Sequence, residues 1–281
     1  MLYKRFFAFG CSFTTYAWST WADIISRSYP EIEYYNLAAS GAGNQYTLAR
    51  LMGADQKYNF NKDDLVIVQW GNVGREDRYI AGTNGHVGWS KSGNIYSSMY
   101  EKSFIDKYCH PMDFLLRDLA SIKAVSNLLQ YKQCTYYFIA NDNIARNINQ
   151  YNYANEYNIR VDGIPRYNEL IQVYESVLKE IRGNYFDLIY KGDWFNDALN
   201  KPQVKTVRGL LIRDCHPSPS EHIQFLETVL PHIIIPEQIK QLAKQEMHIV
   251  LKHQPYESVS EELYKLELPL KIKHEQILPY F

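Results

Sequence analysis

Cysteine is scarce in this chain: Cys11, Cys109, Cys134 and Cys215 are all it has. Four thiols without dense or regular spacing exclude a disulfide framework and a zinc knuckle. They point to a reduced compartment. Charge of one sign is lacking too. Lys and Arg number 30 against 31 Asp and Glu, a net charge of -1, so there is no basic footprint for a nucleic-acid partner. No stretch reaches the roughly 18 apolar residues of a membrane span. Near the N-terminus Lys4 and Arg5 precede only Phe6 to Phe9 before Gly10. That is shorter than the about 7–15 apolar residues of a secretory signal, and the expectation is a cytoplasmic protein. No internal repeat and no low-complexity linker interrupts the sequence. Aromatics, by contrast, are plentiful: 24 Tyr, 12 Phe and 5 Trp in 281 residues. Such side chains fill cores and interfaces, and their faces also stack on sugar rings.

Strand-like and helix-like segments alternate, the pattern of βαβ units around a mainly parallel sheet. Strands are expected at about 6–11, 34–38, 65–70 and 135–140. Helices are expected around Trp18, Trp21, Ile24 and Ile25, over 45–52, over 111–129 with Pro111 at its start, over 165–181, and over 223–230. Three regions do not fit this frame. Residues 74–110 show no sustained period and leave the end of the third strand, so they are expected to overhang a site as a binding loop. Residues 141–164 and 191–212 are irregular, the latter with Trp194 and Phe195 as candidate pocket walls. The expected organisation is one domain over 1–235 with an insertion at about 74–110. A helical extension over 236–281 follows, with Ile239, Leu242 and 247–251 as its helix and 263–270 as a mixed apolar run. It is a candidate homo-oligomer contact.

Two segments carry chemistry. In Phe9-Gly10-Cys11-Ser12-Phe13-Thr14 a short apolar run delivers a serine to the end of a strand, where α/β sheets bind ligands. Far along the chain, Asp214-Cys215-His216-Pro217 precedes a helix. A serine hydroxyl needs a base within hydrogen-bond reach and a third group to orient that base. Ser12, His216 and Asp214 supply those three types. Cys11 is a second candidate nucleophile, but strand alternation turns it away from Ser12. Arg75, in the cluster Arg75-Glu76-Asp77-Arg78, is either part of a solvated turn or a contact for an anionic or polyhydroxylated substrate.

Taken together, these blocks resemble the SGNH (GDSL-like) hydrolase superfamily, in its divergent Gly-Cys-Ser-Phe-Thr form. The resemblance spans about residues 5–230. It implies a three-layer α/β/α sandwich with a mainly parallel central sheet, similar to flavodoxin-like folds. The second family block matches Asn36 to Asn44, with Gly41 in the place of an oxyanion-hole glycine. The third matches Trp70-Gly71-Asn72, with Asn72 in the place of an oxyanion-hole asparagine. There are two departures: Trp70 stands where the family has glycine, and Asp214 lies two residues before His216 rather than three, Arg213 taking the usual place.

What the resemblance implies is a serine hydrolase acting on acyl esters, such as O-acetyl groups on a carbohydrate. Ser12 would be the nucleophile, His216 the base and Asp214 its orienting acid. The amides of Ser12 and Gly41 and the side chain of Asn72 would form the oxyanion hole. Arg75, Trp70 and Trp89 would contact substrate. No metal and no organic cofactor is implied. An O-acyltransferase of the same fold and a non-catalytic glycan-binding or assembly protein are the alternatives.

Overall fold

The computed structural model describes residues 3–81, 87–95, 100–145, 165–192, 203–207, 210–213 and 216–252. In chain order the elements are β1 (Arg5–Phe9), α1 (Trp21–Ser28), β2 (Glu33–Asn36), α2 (Asn44–Tyr58), β3 (Asp64–Trp70), β4 (Arg75–Ala81), β5 (Val87–Asn94), α3 (Lys102–Tyr108), α4 (Pro111–Tyr131) and β6 (Thr135–Ala140). After these come α5 (Pro165–Val173), α6 (Glu175–Leu178), β7 (Ile181–Asn184), α7 (Tyr185–Leu188), β8 (Gln203–Val207), β9 (Leu210–Arg213), α8 (Pro219–Val229) and α9 (Glu237–Lys252).

Five strands form one sheet in the order β2-β1-β3-β6-β7. Every pairing in it is parallel. Because side chains alternate along a strand, a parallel sheet buried on both faces must be apolar at successive positions, and the sequence Leu65-Val66-Ile67-Val68 meets that demand. Phe7, Phe9, Val66, Val68, Trp70 and Phe138 turn to one face, where they pack with Leu51 and Ala54 of α2 and Leu115, Leu119 and Ile122 of α4. Phe6, Ala8, Leu65, Ile67 and Ile139 turn to the other, against Trp21, Ile24 and Ile25 of α1 and Phe225, Leu226 and Val229 of α8. The result is helix, sheet and helix in three layers, as the alternation of the sequence implies.

The chain steps from β1 outward to β2, then returns past β1 to β3. The reversal leaves a crevice at the carboxyl ends of β1 and β3, the topological switch point where ligands bind in such sheets.

Local chemistry fixes the helix starts. Ser218 and Glu221 form a capping box on α8, with Ser218 N donating to Glu221 Oε2 at 2.6 Å and Glu221 N to Ser218 Oγ at 3.3 Å. Two orphan donors are satisfied reciprocally, and Pro219 occupies the first helical position. That cap sets the helix immediately after His216. α9 packs on α8 and α1 and contributes Ala243 to the core.

Several expectations are corrected. The 74–110 segment is not an irregular loop: β4 and β5 pair as an antiparallel hairpin and α3 follows. The helix expected over 165–181 breaks at Tyr174, and Ile181 opens the fifth strand, β7. Part of 191–212 forms a second antiparallel hairpin, β8 with β9. β1 stops at Phe9 and β2 at Asn36, while α2 runs on to Tyr58. Trp194, Phe195 and the 263–270 run lie outside the described residues. Among those described, no helix is long and apolar enough to cross a membrane.

Candidate active site

Gly10 ends β1 and lets the chain turn. Its φ is +153°, a backbone region that side chains rarely adopt. A Cβ there would collide with Thr14 Oγ1 and stand 3.0 Å from Gln69 Cβ. The amides of Thr14 and Thr15 then donate to Cys11 O at 2.9 and 3.2 Å. This tight turn sends neighbouring side chains opposite ways. Cys11 goes down into the core and accepts a hydrogen bond from Asn141 Nδ2 at 3.1 Å. Ser12 goes up, and its Oγ lies 2.8 Å from His216 Nε2.

The turn rests on a buried polar floor. Gln69 Oε1 accepts from Thr14 Oγ1 at 2.6 Å and from Trp21 Nε1 at 2.8 Å, while Gln69 Nε2 donates to Asn141 Oδ1 at 2.7 Å. Fully connected networks of this kind hold one geometry. Here the network joins the ends of β1, β3 and β6 beneath Ser12.

His216 is held by its rings as well. Tyr16 stacks on it with centroids 3.8 Å apart and 19° between planes. Phe13 meets it edge-on at 5.4 Å. Trp18 Nε1 donates to Pro217 O at 2.8 Å, so the loop after Ser12 also grips the residue after His216. Asp214 lies outside the described residues.

Three hydrogen-bond donors stand at the ends of three neighbouring strands. The backbone amides of Ser12 and Gly41, and the side-chain amide of Asn72, donate to no acceptor among the described residues. Gly41 adopts φ +76° and a Cβ there would lie 2.5 Å from Lys91 O, so only glycine fits. Asn72 Oδ1 is buried without a partner. The peptide before Asn72 is fixed by Asn44, whose Oδ1 accepts from Gly71 N at 2.7 Å and whose Nδ2 donates to Gly71 O at 3.3 Å. Asn44 also hydrogen-bonds Asp118, whose burial nevertheless pushes its carboxyl up to about 8.

The β4–β5 hairpin closes one side. Arg75 Nη1 donates to Ala42 O at 2.7 Å. Asp77 accepts from Gly43 N and Tyr46 N, both at 2.9 Å, so it caps α2. Burial raises the Asp77 carboxyl above its ordinary range, although those two amides oppose the shift.

The expected site residues therefore divide. Ser12 and His216 meet, and Gly41, Asn72 and Arg75 lie at the same end of the sheet. Trp89 of β5 packs edge-on against Tyr46 at 5.5 Å, at the wall of the 39–43 loop. Trp70 is corrected: its ring is 0% exposed and packs edge-on against Phe138 at 5.5 Å, so it offers a ligand no surface. Strand parity carries the signal, since Trp70 shares its face with Val66 and Val68. The sequence reading missed Tyr16, Gln69 and Asn141. Gln69 was legible as the one polar side chain within the apolar run 65–70. The stacking of Tyr16 on His216 depends on loop geometry and had no sequence signal.

No family model matches the sequence, and no curated protein matches it. Among solved structures, a psychrotrophic esterase EstA from Pseudoalteromonas sp., inhibited by monoethylphosphonate, is similar over 82% of this chain and 98% of its own. The identity is 12% and the TM-score 0.39.

Proposed function

We propose that the protein is a serine hydrolase of the SGNH type that cleaves acyl esters, O-acetyl groups on a carbohydrate being the substrate class its sequence resemblance implies. The observation that carries this reading is the 2.8 Å approach of Ser12 Oγ to His216 Nε2. With its proton on Nδ1, the imidazole accepts the hydroxyl proton as Oγ bonds to the acyl carbon. The carbonyl oxygen gains negative charge, and the donors of Ser12, Gly41 and Asn72 meet no acceptor among the described residues that would compete for them. Each such donor is worth about 3–4 kcal/mol of transition-state stabilisation. The imidazolium then returns its proton to the departing alkoxide. Water repeats the sequence in reverse on the acyl-serine and frees the acid. Tyr16 and Phe13 hold the imidazole plane throughout, and Asp214, two residues before His216, is assigned to Nδ1 from the sequence resemblance.

Turnover of p-nitrophenyl acetate tests the reading. Ser12→Ala and His216→Ala should each lower kcat by several orders of magnitude without lowering Tm, as loss of any member of a nucleophile–base pair does. Asp214→Asn should cost less than His216→Ala, because it orients the base and does not move the proton. Wild-type protein that turns over no acetyl ester, or a Ser12→Ala variant within about tenfold of wild type, overturns the proposal. Product analysis with added sugar separates hydrolysis from acyl transfer.

A further inference from the structure

Arg50, in the second turn of α2, is 8% exposed. Its Nε and Nη1 are buried and donate to no acceptor among the described residues. Burying donors of a charged group without hydrogen-bond partners is costly, and two such orphan nitrogens on one guanidinium call for an explanation. The surroundings repeat the imbalance. Arg50 lies 5.8 Å from the centroid of the Tyr46 ring, and Lys91 Nζ lies 5.1 Å from that same centroid. The indole of Trp89 meets the ring edge-on, and its Nε1 is likewise buried with no acceptor among the described residues. Lys91 forms no ion pair among the described residues. Asp77, opposite Lys91 in the hairpin register, directs its two oxygens to the amides of Gly43 and Tyr46. Two cations and an indole N–H thus gather about one aromatic ring, and among the described residues none of them forms a hydrogen bond or ion pair, the nearby Asp77 being engaged with backbone amides.

The cluster borders the candidate active site. Lys91 O touches the position a Gly41 side chain would take, and Gly93 N donates to Gly41 O at 3.2 Å. We propose that Arg50, Lys91 and Trp89 Nε1 form a subsite for an oxyanion group, a carboxylate, sulfate or phosphate carried by the substrate. The wider claim, that this group belongs to the ester substrate, rests on the hydrolase reading above. Arginine suits such a group because its planar donors match two oxygens at once. A neutral sugar would bring the two cations no counter-charge, so the subsite selects acidic substrates.

Binding can be read without turnover. Full-length Ser12→Ala protein is titrated by calorimetry with sodium glucuronate, sulfate and phosphate, each at ionic strength matched with chloride, and with glucose as the neutral control. At least one oxyanion is expected to bind in preference to chloride and glucose. The oxyanion that binds best tells an acidic sugar from a sulfated or phosphorylated one. Arg50→Met in the same background should weaken that binding roughly tenfold or more. In chloride alone it should melt no lower than its parent, because it removes an uncompensated buried charge and keeps an apolar stem. Lys91→Gln, on a half-buried strand position, should weaken binding by a smaller factor. Failure of all three oxyanions to outbind chloride overturns the subsite, as does unaltered binding by either variant. An Arg50→Met protein that melts well below its parent in chloride gives Arg50 a structural role and also overturns it. If oxyanions bind through Arg50 but wild-type protein hydrolyses no ester, the subsite stands and the hydrolase reading falls. If esters are cleaved but no oxyanion binds, the subsite falls alone.

Discussion

Tyr16 lies face to face with His216, 3.8 Å between ring centroids, so an aromatic ring, not only a hydrogen bond, sets the plane of the imidazole. Tyr16→Leu removes that plane. Misplacing a catalytic group by a fraction of its length costs up to about 100-fold, and a loss of about tenfold or more in kcat/KM for p-nitrophenyl acetate is expected. Tyr16→Phe keeps the ring and should recover most of the activity. Equal losses in both variants would mean that the hydroxyl, not the stack, matters.

Gly10→Ala should unfold or cripple the turn. The new methyl meets Thr14 Oγ1 and Gln69 Cβ at a φ of +153°. Strain of that kind costs about 2–4 kcal/mol, measurable as a lower urea midpoint with unchanged slope. Esterase activity should fall with it, since the same methyl presses on the polar floor under Ser12. A variant of wild-type stability would show that the turn relaxes freely.

Asp118 makes stability depend on pH. In the unfolded chain its carboxyl loses its proton near 3.8, whereas in the fold burial holds the proton until about 8. Between those values the folded state binds more protons than the unfolded one, so stability falls as pH rises, by at most about 1.4 kcal/mol per pH unit. Asp118→Asn mimics the protonated acid. Its urea midpoint should lose that part of the decline and exceed wild type at about pH 8. Parallel curves for the two proteins would remove Asp118 from this role.

Glu246 ties α9 to Ser19, in the loop that follows Ser12, and to α1. It is fully buried, accepts from Ser19 N at 3.0 Å and Ser19 Oγ at 2.6 Å, and pairs with Arg27 Nη1 at 2.7 Å. Removing one member of a buried pair leaves the other uncompensated, at about 3–5 kcal/mol. Glu246→Ala should therefore destabilise strongly, and Glu246→Gln less, because its amide still bonds Ser19. A shift under about 0.5 kcal/mol, the size of an ordinary surface change, would show that α9 is dispensable.

Much of the frame was legible. The apolar run of β3, the alternating faces and the Pro-started helices follow from periods of 2 and 3.6, and Ser12 and His216 stand out as strand-end and pre-helix residues. β7 escaped notice because Ile181-Arg182-Gly183-Asn184 is short and carries one large apolar residue, so it reads as the tail of the preceding helix. The β4–β5 hairpin escaped because its strands face their neighbours with Asp77, Trp89 and Lys91, and show no clean alternation. The solitude of Arg50 cannot be read from a sequence at all. A helical arginine normally finds an acid, and only three-dimensional surroundings show that this one finds none among the described residues.

The carboxylate of Asp77 has one further consequence. In open parallel sheets the opening turn of a helix beside the switch point is the usual berth for the phosphates of a nucleotide, because its amides point at the ligand unanswered. In this protein the amides of Gly43 and Tyr46 already answer to Asp77, and a side chain on Gly43 would strike both Arg75 and Asp77. The hairpin has filled that berth with its own acid. The amides of Gly43 and Tyr46 are thereby closed to a visiting anion.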